Sequence, residues 1–318
     1  MDRARAFWVT RPGHGEIRQE TLSPPGPGQV AVRTLFSGVS RGTETLVFNG
    51  RVPESQRTVM RCPFQAGDFP GPVKYGYNAV GALDDGTVVF CLFPHQDRFT
   101  VPSRAVRRVP PEVPAERAVL AANMETALNA LWDSGIAPGD RVAVVGLGVV
   151  GLLIAYLAAR IPGVDLLGID PNPARADNAR SLGIPFSTAA PKAFDADVVV
   201  HASGTPVGAA TALELAGTEA TVLEASWHGR QSVPLPLGEA FHSRRLSLRS
   251  TQVGAISPGH RPRWDYGRRL DKALGLLADP ALDGLIDGES AFTSLPETMA
   301  ALADGSLPAL CHRIRYES

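Results

Sequence analysis

The sequence predicts an α/β protein in which a doubly wound parallel sheet follows a β-rich region. Three observations carry this. From Asp140 onward, short apolar runs alternate with segments of helical spacing. Gly146, Gly148 and Gly151 fill a G-x-G-x-x-G pattern between a strand-like and a helix-like run. Before about position 115, short alternating runs are punctuated by Gly and Pro turns.

In the first region, residues 29–35 alternate like a half-buried strand directly after SPPGPG. Residues 80–83 and 87–92 flank Asp84-Asp85-Gly86 and read as a hairpin, with another short strand at 98–101. Pro110, Pro111 and Pro114 mark the way out, and residues 116–134 have helical spacing. The alternating region then reads as strand 141–145, a helix, a strand ending at Asp170, helix 173–182, strand 196–201, helix 207–216, strand 220–225 and strand 246–252. Two helices, 266–277 and 296–303, and a closing strand at 311–316 complete the chain. That last strand is placed to return to the first domain. The expected domains are 1–117, 118–262 and 263–318.

Composition narrows the function classes. The chain has 318 residues, 44% hydrophobic and 20% charged, the balance of a soluble globular protein of about two domains. A net charge of −1 offers no field for nucleic acid or an anionic membrane. The most apolar run, VVGLLIAYLAA, is too short to span a bilayer, and the N-terminal residues lack the apolar core of a signal peptide. Cys62, Cys91 and Cys311 are scattered, as in a reducing cytoplasm rather than a disulfide framework.

The glycine pattern has a physical reading. Gly146 permits a tight turn, Gly148 lets a pyrophosphate approach the backbone, and Gly151 lets the helix pack closely on the strand. The helix N-terminus, at Val149 and Val150, offers N–H groups and a positive dipole end to phosphates. Asp170, 24 residues after Gly146, can accept from ribose hydroxyls, which favours NAD and repels a 2′-phosphate. Arg175, five residues on, could instead attract that phosphate, so NADP stays open. Ala202, Ser203 and Gly204 follow a strand at its carboxyl edge, where such sheets bind ligands, and Gln252 is placed beside the nicotinamide by the same logic. Seven arginines between His242 and Arg269 could form a lip for an acidic substrate, but the balanced chain favours ordinary ion pairing.

The order of domains resembles the medium-chain dehydrogenase/reductase family over nearly the whole chain. The resemblance rests on SGVSRGTE (37–44), KYGYNAVG (74–81), ANMETALNAL (122–131), GLGVVG (146–151) and LCHRIRY (310–316). The SRGTE and KYGY segments are most similar to a zinc-binding dehydrogenase-like subgroup that includes bacteriochlorophyllide dehydrogenases. The resemblance implies a GroES-like catalytic domain, a Rossmann domain, a small-molecule substrate and a homodimer. It also implies cofactor contacts at Arg41, Thr126, Asn172 and Arg175, the last by stacking on adenine.

The family's zinc ligands do not carry over. Their positions match Ser40, Tyr77 and Ala122 or Asn123, none of which replaces a thiolate or imidazole at zinc. A structural zinc needs four cysteines, and the chain has three. The expectation is a protein without zinc or other metal. The one metal alternative is Cys91 and His95, four apart, with Cys62 approaching them.

Without zinc, hydrogen-bond donors must stabilise the charge on a reacting carbonyl oxygen. Ser40 and Tyr77 are candidates to line the vacated site, His95 to relay the proton, and Glu44 and Glu125 to orient a hydroxyl or bind a polar group. Each also has a plainer reading: Ser40 and Tyr77 as filler, Glu125 as a helix brace, His95 as a solvated turn residue. The leading function is zinc-independent hydride transfer between NAD(H) and a secondary alcohol or ketone. The alternatives are NAD(P)H-dependent reduction of an activated C=C bond, and a non-catalytic nucleotide-binding protein for redox sensing or scaffolding.

Overall fold

The structure, a computed structural model, describes residues 2–317. The chain divides into two units: Met1–Ala122 with Leu270–Ser318, and Asn123–Arg269. The seams therefore stand at 122/123 and 269/270, against the expected 117/118 and 262/263.

The first unit begins with strands β1 (Asp2–Arg11), β2 (His14–Leu22) and β3 (Gln29–Val39), then helix α1 (Arg41–Phe48). Strands β4 (Ala66–Gly67), β5 (Val73–Lys74), β6 (Ala79–Ala82), β7 (Val88–Cys91), β8 (Arg98–Pro102) and β9 (Val106–Arg108) follow, then helix α2 (Ala115–Ala118). The second unit holds α3 (Ala121–Ser134), β10 (Arg141–Val145), α4 (Val149–Ala158), β11 (Asp165–Ile169), α5 (Arg175–Ser181), β12 (Phe186–Ser187) and β13 (Ala196–His201). It continues with α6 (Pro206–Leu215), β14 (Ala216–Glu224), α7 (Ala240–Ser243) and β15 (Ser247–Ser250). Helix α8 (Tyr266–Leu276) carries the second seam, and β16 (Ile286–Ala291), α9 (Leu295–Asp304) and β17 (Cys311–Arg315) complete the first unit.

In the second unit the strand order is β12-β11-β10-β13-β14-β15, and every pair is parallel. Numbered from β10, this is the 3-2-1-4-5-6 order of a dinucleotide-binding sheet, with its switch point between β10 and β13. Val142, Ala143 and Val144 of β10 and Val199 and Val200 of β13 are fully buried. Their unbroken apolar runs reflect a sheet covered on both faces.

The first unit is largely antiparallel. β17 lies between β16 and β3, so the closing strand joins the sheet begun by residues 29–39, as the sequence expects. Phe93 and Phe99 stack at 3.9 Å in a core with Val32, Val89 and Val101. The β1–β2 hairpin is absent from the sequence reading: β2, HGEIRQETL, has only two apolar residues to mark it, although β1, DRARAFWVTR, has five.

The single helix expected over 116–134 is broken. α2 ends at Ala118 and α3 starts at Ala121. Arg117 holds α2 to the first unit: its guanidinium donates to both carboxylate oxygens of Asp283 at 2.7 and 2.9 Å and to the carbonyls of Leu277 and Ala278. Among the described residues no helix is long and apolar enough to cross a membrane.

Candidate active site and cofactor site

In the second unit the glycine turn is built as the spacing demands. Gly146 has φ +96°, and a Cβ there would lie 2.4 Å from the backbone nitrogen of Ser203. A Cβ on Gly151 would fall 1.9 Å from the carbonyl oxygen of Gly146, while one on Gly148 meets nothing within 4 Å. The first two glycines allow close backbone approach, and the third leaves room beside the N-terminus of α4, where Val149 and Val150 begin the helix. This cradle fits a dinucleotide pyrophosphate. Ala202 and Ser203 leave β13 at the switch point, and the Gly204 amide donates to Ser226 Oγ at 3.0 Å.

Asp170 has a further duty that spacing does not reveal. One carboxylate oxygen accepts from the Leu147 amide at 2.8 Å, the other from the Asn172 amide at 2.9 Å. The acid thus fixes the glycine turn, and its remaining lone pairs are those a ribose would use. Asn172 accepts from the Ala174 amide at 3.0 Å, and Arg175 opens α5 immediately after. Gln252 is exposed and accepts from the Gly254 amide. Thr126 lies on α3.

Ser40, Glu44, Tyr77 and His95 come together in the first unit. Glu44 sits in the first turn of α1 and accepts from the Ser40 amide at 2.7 Å through Oε1. Its Oε2 lies 2.8 Å from His95 Nε2. His95 Nδ1 lies 2.7 Å from Ser37 Oγ, which lies 2.9 Å from the Tyr316 hydroxyl. One proton arrangement satisfies every member: Tyr316 donates to Ser37, Ser37 to His95 Nδ1, and His95 Nε2–H to the Glu44 carboxylate. Burial holds the Tyr316 phenol far above its usual range, so it stays a donor.

His95 is therefore no solvated turn residue. It is 1% exposed, with both ring nitrogens engaged, and cannot itself touch a substrate. Ser37 and Tyr316 went unnoticed in the sequence because 58 and 279 residues separate the bonded partners. Tyr77 is half-buried, and the side chains of Ser40 and Thr43 act on its hydroxyl, each lowering its pKa a little. Burial, and next the Glu44 charge, push its pKa far up. Burial first, and the Glu44 charge besides, push the Cys62 thiol up to about 12.

Glu125 belongs to the other unit and to a different network. It is 4% exposed and accepts from Arg269 Nε at 3.0 Å; Arg269 also donates to Asn129 Oδ1 at 2.7 Å. This ion pair is the contact of a helix brace within the second unit. Arg41 begins α1 beside Ser40.

The donor set does not fit the family's catalytic zinc. A serine hydroxyl, a phenol held protonated and an alanine or amide are poor partners for that ion. Nor do Cys62, Cys91 and His95 form the metal group that their spacing allows. Among the described residues, the group of three close metal-ligating side chains is His201, Glu224 and His228, in the second unit.

No family model matches the chain. It is similar to D-guloside 3-dehydrogenase of Escherichia coli, 24% identical over 313 residues that cover 87% of this chain and 89% of the relative. It is also similar to 2-desacetyl-2-hydroxyethyl bacteriochlorophyllide A dehydrogenase of Cereibacter sphaeroides, 27% identical over 51% of this chain and 54% of that one. Among solved structures, acetophenone reductase of Geotrichum candidum in complex with NAD shares the fold at a TM-score of 0.78 and 13% identity, over 99% of this chain and 98% of the other. With the glycine cradle and the returning strand β17, these likenesses point one way: the chain is similar to zinc-type alcohol dehydrogenase-like members of the medium-chain dehydrogenase/reductase family, and is an NAD(P)-dependent oxidoreductase.

Proposed function

We propose that this oxidoreductase moves a hydride between NAD(H) and a secondary alcohol or ketone without zinc. The observation that carries this reading is the buried chain Tyr316–Ser37–His95–Glu44 beside Ser40 and Tyr77, at the positions where family resemblance puts metal ligands. The alcohol and sugar dehydrogenases among its relatives support the substrate class. When bound, the dinucleotide supplies or takes the hydride.

In the reducing direction the substrate oxygen gains negative charge. Tyr77 and Ser40 donate hydrogen bonds to it, and the proton that completes the alcohol passes from the Tyr77 hydroxyl, which takes one back from solvent. Glu44 and His95 act as positioning residues. Glu44 holds the Ser40 amide, and His95 holds Glu44. Asp170 favours NAD over NADP, because its carboxylate would face a 2′-phosphate. The reading includes a cytoplasmic homodimer joined through β15, the exposed edge strand of the parallel sheet.

Fluorescence titration with NADH and NADPH, followed by a turnover screen of alcohols, ketones and enones, tests the proposal. Tighter NADH binding and turnover of secondary alcohols in metal-free buffer are expected. Tyr77→Phe should cost about a hundredfold in kcat. Unchanged kcat in both Tyr77→Phe and His95→Ala would overturn the role given to the group. Turnover confined to enones would replace the substrate class.

A further inference from the structure

At the carboxyl edge of the parallel sheet, His201 ends β13 and Glu224 ends β14, directly opposite each other in register. His201 Nδ1 lies 2.7 Å from Glu224 Oε2. Four residues on, the chain turns back and brings His228 Nε2 within 3.4 Å of the same carboxylate oxygen. The two imidazoles stack at 20° with centroids 5.9 Å apart. One ligand atom from each of the three residues lies within 4.8 Å of the others.

Hydrogen bonds explain two of these side chains and leave the third unexplained. His201 Nε2 bonds Ser203 Oγ at 2.7 Å, and Glu224 Oε1 accepts from the Ser226 amide at 2.8 Å. Both ring nitrogens of His228 are buried without a hydrogen-bond partner, since its 3.4 Å approach to Glu224 is an ion-pair distance only. Buried ring nitrogens left beside an already occupied carboxylate are costly unless something bridges the two.

We propose that His201, Glu224 and His228 bind a divalent transition metal ion, zinc by preference. Two imidazoles and one carboxylate suit zinc, whose ligand atoms stand about 3.3 Å apart around a tetrahedral ion. The 3.4 Å approach already has that spacing, and the 2.7 Å contact opens by a side-chain rotation. Ser203 and the Ser226 amide are the outer partners that orient such ligands. The fourth position faces a cavity of about 180 Å³ walled by Ala209, Leu213 and Val222, with room for a water. This site lies within the dinucleotide-binding unit and shares no residue with the Ser40–Tyr77 group of the first unit. It ties residues 225–228 to the sheet edge and has no part in the hydride chemistry proposed above.

The test uses the full chain, purified without a histidine tag and stripped with a chelator. Zinc is then added back by calorimetric titration, and cobalt by visible absorption. The expected result is one tight zinc per chain, a tetrahedral cobalt spectrum and a rise in Tm on loading. His228→Ala and Glu224→Gln should lose all three, while their metal-free Tm stays close to that of the stripped wild type. Ser203→Ala should bind zinc about 10- to 100-fold more weakly, and Tyr77→Phe should bind it as wild type does. Failure of the wild type to bind zinc or cobalt would overturn the site. Binding that survives His228→Ala but is lost in His95→Ala or Cys62→Ser would overturn it as well, by moving the ion to the first unit.

Discussion

The ring of His95 lies so close to Gly76 that a methyl group on the glycine would stand 2.9 Å from His95 Cδ2. Gly76 also has φ +131°, a conformation that side chains rarely adopt. Gly76→Ala should therefore destabilise the fold by about 1–3 kcal/mol and push His95 off Glu44. Urea denaturation reads the first effect. A fall in kcat with KM little changed reads the second.

Glu125 and Arg269 form an ion pair in which both side chains are almost wholly buried. Removing one partner strands the other, at a cost of about 3–5 kcal/mol. Glu125→Ala should lower the denaturation midpoint sharply. A variant that stays fully stable yet loses turnover would return Glu125 to the catalytic candidates.

Burial pushes all three thiols up to about 12. At pH 8 almost none is thiolate, the form that attacks electrophiles. The folded protein should react with iodoacetamide far more slowly than the same chain in guanidinium. Mass spectrometry of the quenched mixture counts the adducts, and rapid labelling of the native chain would contradict the burial.

Asp283 is held below the usual carboxylate range: its hydrogen bonds to Arg117 outweigh the cost of burial, and the charge of Arg117 adds to them. A depressed carboxylate stabilises the fold above its unfolded pKa, and the contribution disappears as pH falls through the folded value. Wild type should therefore exceed Asp283→Asn in stability at pH 7, with the gap closing below about pH 4. Melting both proteins across that range gives the gap directly.

Asp170 accepts from the amides of Leu147 and Asn172. Asp170→Ala should loosen the glycine turn as well as remove a ribose acceptor. NADH affinity should fall about tenfold or more, roughly the worth of one or two charge-assisted hydrogen bonds, without a gain for NADPH. A variant that merely exchanged NADH for NADPH preference would limit Asp170 to the ribose role.

Local chemistry made much of this fold readable. β10 and β13 are apolar runs between turn signals, and both strands stand at the residues the sequence predicts. The glycine cradle needed only spacing, because strand, turn and helix are adjacent in the chain. What stayed hidden depends on distant partners. The hydrogen bond of Tyr316 to Ser37 crosses nearly the whole chain, and no periodicity announces it. Glu125 read as a site candidate or a helix brace with no partner in view, because Arg269 is 144 residues away. His201 and Glu224 looked like strand ends until register set them face to face.

Strand β17 sits between β16 and β3, with antiparallel partners running from Phe36 to Val39. During synthesis, that slot stays empty until residues 311–315 leave the ribosome. The parallel-sheet unit, continuous from 123 to 269, is complete long before then. The nascent chain thus carries a complete parallel-sheet unit while the edge of β3 still lacks its partner and invites wrong pairing. Residues 311–315 act as the latch that ends this exposure.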